Sequence, residues 1–223
     1  MTSKGTSLST RRRLIERILL WMSSGKDIDG LWLGSETDAE RVLPRVEAAL
    51  GLIKTHDRQR YDRIVADLDR IWVRLLTTSV AQFSPAWGAC LLDERFVLAE
   101  STETAHIAAA IVHEAIHARL WRCGFGYEED VRQRVEAVCV RREMAFARKL
   151  PEGEPIGAWA AGALSLSPSY WTNPSAQERH VEGSLEALRH LQDNWFARAL
   201  LAFFEWRQAR RPRASGNEEG PHN

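Results

Sequence analysis

A strongly apolar stretch over residues 105–121 carries His113-Glu114-Ala115-Ile116-His117, and this combination restricts the chain more than any other feature. Its neighbours are Ile107, Ala108, Ala109, Ala110, Ile111 and Val112, so the spacing predicts a largely buried helix. Two imidazoles on such a helix cost several kcal/mol of desolvation, on the order of 2–7 each, and a charged carboxylate costs far more, unless partners satisfy them. Histidines at i and i+4 face the same side of a helix, so both rings can bind one Zn²⁺. Glu114 then points toward the open side, where it can take a proton from a water on the metal. Whatever the fold, it has to bring a further group to this face.

Composition narrows the ligand set. The chain of 223 residues has 30 basic and 30 acidic side chains, which excludes a nucleic-acid binder working by broad phosphate neutralisation. Hydrophobic residues at 44% and charged residues at 27% are those of a soluble globular protein. Cys90, Cys123 and Cys139 are too widely spaced for a disulfide framework or a CxxC knuckle. A metal is therefore expected to sit on histidine and carboxylate, the ligands of an open catalytic zinc rather than a closed structural one. The basic N-terminus is interrupted by Glu16 and Arg17, so it makes no signal peptide, and no run is long enough for a membrane span. A cytoplasmic location is expected.

The rest of the chain reads as mainly helical, an α+β protein with one small β-hairpin. Helices are expected over 10–23, 36–54 with a kink near Pro44, 57–79, 105–121, 127–150 and 176–210. Residues 24–35 and 151–175, rich in small and turn-forming residues, read as loops. Gly88–Leu92 and Phe96–Ala99 read as the only strand pair, turning at Asp93-Glu94-Arg95. Ser101, Thr102 and Thr104 are candidate N-caps of the motif helix. The reading gives a single domain over 1–210 and a disordered tail over 211–223.

With a hairpin just upstream and a helix just downstream, residues 84–150 resemble the zincin metallopeptidases. The resemblance implies a minimal zincin-like core, a peptide or protein substrate held along an edge strand, and Zn²⁺ as cofactor. The metzincin-like continuation HExxHxxGxxH fails, because Leu120 and Cys123 stand at its glycine and final histidine positions. The gluzincin-like branch takes its third ligand from a Glu on the next helix. Glu136, nineteen residues after His117 and set among Val135, Ala137, Val138 and Val140, fits that role. Glu143, Glu129 and Cys123 are its rivals. Glu143 shares the face of Glu136 and suits a supporting role or an Arg pair. The helix dipole alone explains Glu129.

The reading is thus a zinc-dependent hydrolase, a peptidase, with Glu114 as base and His113, His117 and Glu136 as ligands. His106, Glu143, Tyr127 and His180 are candidates to support the site or touch substrate, and Tyr170 has the right order in the chain to stabilise an oxyanion. Cys139 reads as a small packing residue, and Trp87 as a residue able to line a cleft. The alternative is a non-catalytic, metal-stabilised helical protein whose basic, aromatic C-terminal helix docks a partner or, less favoured, a membrane surface. The sequence leaves the oligomeric state open.

Overall fold

The computed structural model describes residues 17–77, 79–175, 178–179 and 182. Its frame is a five-stranded mixed sheet in the order β1-β2-β3-β5-β4. The strands are β1 (Ser24–Ile28), β2 (Leu31–Ser35), β3 (Arg70–Arg74), β4 (Ala81–Ser84) and β5 (Ala89–Asp93). The helices are α1 (Ala39–His56), α2 (Arg58–Asp67), the short α3 (Glu94–Leu98), α4 (Thr104–Arg122), α5 (Glu129–Ala147) and α6 (Glu154–Leu164). The protein is therefore mixed α+β, and a single hairpin understates its sheet.

The expected loop over 24–35 is instead the β1–β2 hairpin, paired from Ser24↔Ser35 to Ile28↔Leu31. Asp29 and Gly30 turn with φ of 55° and 88°, and Asp-Gly is the pair that adopts two positive φ angles most readily. The exposed, polar β1 carries no apolar alternation, so only its turn marks it.

The expected helix over 57–79 divides in two. Tyr61 and Ile64 form the buried side of α2, while Ile71, Trp72 and Val73 form the centre of β3. β3 lies between parallel neighbours, and a strand buried on both faces has no alternation to distinguish it from a helix segment. Ile71 and Val73 join the main core with the helices, while Trp72 faces a second cluster with Trp87 and Leu91. Trp87 meets Trp72 edge-on at 6.3 Å, so it anchors this far face and does not line the cleft.

The strand pair before the motif is shifted upstream. The strand expected over 88–92 is found as Ala89–Asp93, but its partner is β4, and Phe96–Ala99 is not a strand. Asp93 explains the difference: its carboxylate accepts from the N–H groups of Arg95 and Phe96 and starts α3. The same carboxylate accepts from Leu76 N at 2.9 Å, which fastens the end of β3 to the end of β5.

α1 runs unbroken through Pro44, which faces solvent. The N-cap of α4 is Glu103, without a side-chain cap bond, and not Ser101, Thr102 or Thr104. Arg45 of α1 fastens this entry by donating to the carbonyls of Ala99 and Thr102. Residues 151–175, expected as loop, hold α6 and a 3-10 turn at Pro168–Trp171. Residues 17–22 are helical and Ser23 is not, while residues 10–16 of the helix expected over 10–23, most of the helix expected over 176–210 and the tail over 211–223 lie outside the described residues. Among the described residues no helix is long and apolar enough to cross a membrane.

Candidate metal centre

α4 packs along α5, and the motif face meets α5 at Glu136 and Glu143. Nε2 of His113 and Nε2 of His117 lie 3.2 Å apart. Oε2 of Glu136 lies 3.3 Å from the first and 3.4 Å from the second. The three donors form a nearly equilateral triangle. One face of a zinc tetrahedron with nitrogen and oxygen ligands at about 2.0–2.1 Å has edges of about 3.3 Å. The residues therefore fit a small tetrahedral cation.

Glu143 stands behind the first histidine. Its Oε2 lies 3.0 Å from His113 Nδ1, so that nitrogen donates to the carboxylate and Nε2 faces Glu136 and His117. The Glu143 side chain is 2% exposed, and its Oε1 is buried without a hydrogen bond. Burial opposes charge on His113, but hydrogen bonds to Glu136 and Glu143 outweigh it and push its pKa up to about 10. Burial also works against the Glu136 carboxylate, yet hydrogen bonds from His113 and His117 bring its pKa down to about 2. This cluster is built to hold positive charge, and a proton is the smallest cation that serves.

Glu114 has the opposite environment. It is buried, and burial raises its carboxyl above the usual carboxylate range, against the pull of His113 and His117. The backbone of Phe83 hydrogen-bonds the charged form, which links the base to edge strand β4. A carboxyl raised toward neutrality exchanges protons readily.

A cleft of about 310 Å³ opens onto this cluster. Its floor is His113, Glu114, His117 and Glu136; residues 79–82, which lead into β4, form one wall. Trp159 of α6 and Tyr170 of the 3-10 turn form another, and Trp159 is 57% exposed. Trp159 went unnoticed in the sequence because nothing marks residues 154–164 as a helix facing the motif.

The remaining candidates separate. Tyr127 packs on His117, with ring centroids 5.3 Å apart, and burial raises its hydroxyl pKa. It does not line the cleft. His106 sits in the first turn of α4, away from the cleft lining, with its Nδ1 buried and unpartnered. Glu129 is engaged by Asn173 through both the backbone N–H and the side-chain amide. Cys123 is exposed at the end of α4. His180 lies outside the described residues. Cys139 is fully buried, in keeping with its reading as a packing residue, and its Sγ, a ring nitrogen of His113 and one of His117 also all lie within 4.8 Å of one another. Together these three form a possible metal-binding group.

No protein-family model matches the chain, and neither a curated protein nor a solved structure shows significant similarity to it.

Proposed function

We propose that the chain is a zinc-dependent hydrolase of the zincin type, acting on peptide bonds. The observation that carries this reading is the donor triangle of His113, His117 and Glu136, with edges of 3.2–3.4 Å. The ion they would hold polarises a substrate carbonyl and acidifies a water when bound. Glu114 lines the same cleft as the triangle, with its carboxyl raised by burial. It takes the proton of the attacking water and returns it to the nitrogen of the leaving amine. Glu143 holds the His113 ring by its Nδ1. Among the described residues β4 is an edge strand pairing only with β5, so an extended peptide can lie along its other side. Trp159 and Tyr170 form the wall of the same cleft and narrow the access of water.

The proximity of Cys139 favours a second reading, in which the metal fastens α4 to α5 without hydrolysis. Glu114→Gln separates the two. The hydrolytic reading expects zinc content unchanged and cleavage of a peptide library lowered by at least about a hundredfold. Equal zinc and no cleavage in either protein supports the fastening role.

A further inference from the structure

Cys139 is a buried nucleophile to which the hydrolytic reading gives no task. It is 0% exposed and follows Glu136 by three residues on α5. The donors thus come in two pairs: His113 and His117 one turn apart on α4, Glu136 and Cys139 about one turn apart on α5. Two pairs on facing helices supply four donors, the number a tetrahedral zinc takes. A sulfur–nitrogen edge of a zinc tetrahedron is about 3.5 Å. The ligand atoms of His113, His117 and Cys139 all lie within 4.8 Å of one another, so Sγ needs a shift on the order of an ångström to reach that distance.

We propose that Cys139 is a fourth protein ligand of the same centre, so that the resting site is a closed His–His–Glu–Cys set. The inference rests on the metal reading above. On ligation the thiol gives its proton to solvent and binds as thiolate. Cys139 is buried and does not line the cleft, so its sulfur reaches the centre from the buried side; it completes four protein ligands, and the enzyme is latent until the thiolate leaves. Closed sites with four protein ligands are structural and open ones catalytic, so a labile fourth ligand converts one into the other. A soft thiolate also favours zinc over harder divalent ions.

Cobalt(II) reports directly on sulfur ligation. The metal-free full chain is titrated with Co²⁺ and followed in the visible and near ultraviolet. The wild type is expected to show the visible bands of tetrahedral cobalt together with an intense near-ultraviolet thiolate-to-cobalt band. Cys139→Ser and Cys139→Ala lose the near-ultraviolet band and keep the visible ones, and Cys123→Ser keeps both. Visible bands without the charge-transfer band in the wild type overturn the role of Cys139 alone, whatever the variants do. A charge-transfer band that persists in Cys139→Ser also overturns it. No cobalt uptake by the wild type overturns this inference and the metal reading together.

Discussion

Glu143 and Asp57 show how single carboxylates set this molecule's behaviour. Glu143 orients His113 from behind, and such supporting groups are worth about tenfold to a hundredfold in metal affinity. Glu143→Gln is therefore expected to weaken zinc binding by that factor, as measured by competition with a chromophoric chelator. Asp57 caps α2 and accepts from Arg60 and from Lys149, which follows α5. Burial pushes its carboxyl up, but hydrogen bonds from Lys149 and Arg60 outweigh it and hold its pKa below the ordinary 3.8. The unfolded chain then binds the proton more readily than the folded one. The stability Asp57 gives is complete above the ordinary carboxylate range and is lost as pH falls through its lower folded value. Asp57→Ala is expected to cost about 2 kcal/mol near neutral pH, and urea melts at descending acid pH should show the gap to wild type closing. At this scale the motif was legible because histidines four apart on an apolar helix have one simple use. Glu136 was legible as a charge in an apolar stretch. Cys139 was not, since a buried cysteine packs as a small hydrophobe whether or not a histidine faces it.

The sequence pattern located the elements unevenly. α4 was legible as a long Ala-rich apolar run closed by glycine and α5 from its acidic first turn, and they carry all the proposed ligands. The sheet was mostly hidden: β3 has no alternation because both its faces are buried, and β1 has none because it is exposed. The edge strand was placed one element too late, since Asp93 starts a helix where a turn was expected. α6 was hidden by its small residues, yet it supplies the cleft wall at Trp159. Its entry depends on Gly153, where a Cβ would come within 1.7 Å of the Ala147 carbonyl. Gly153→Ala is expected to cost about 1–3 kcal/mol, from overpacking against backbone that cannot yield. It should also displace α6, so Trp159 fluorescence in a background lacking the other tryptophans should shift. An unchanged melt and spectrum would mean that the α5–α6 turn is more adaptable than this contact implies.

At the scale of the whole molecule, the sheet and α4 share one core, and the centre joins α4 to α5 at its margin. A cation bound there is linked to folding. At a free metal concentration of about a thousand times Kd, binding stabilises the folded chain by about 4 kcal/mol. Removing metal with a chelator is expected to lower the melting temperature by several degrees, and adding zinc back should restore it. The neutral composition fits a partner chosen by shape and by the cleft rather than by bulk charge. The most direct test of the central claim is the zinc content of the purified chain by elemental analysis, beside that of a His113→Ala/His117→Ala variant. One zinc per wild-type chain and none in the folded variant is the expected result. A wild-type chain that takes up no zinc, or a variant that retains it, would contradict the assignment of this centre.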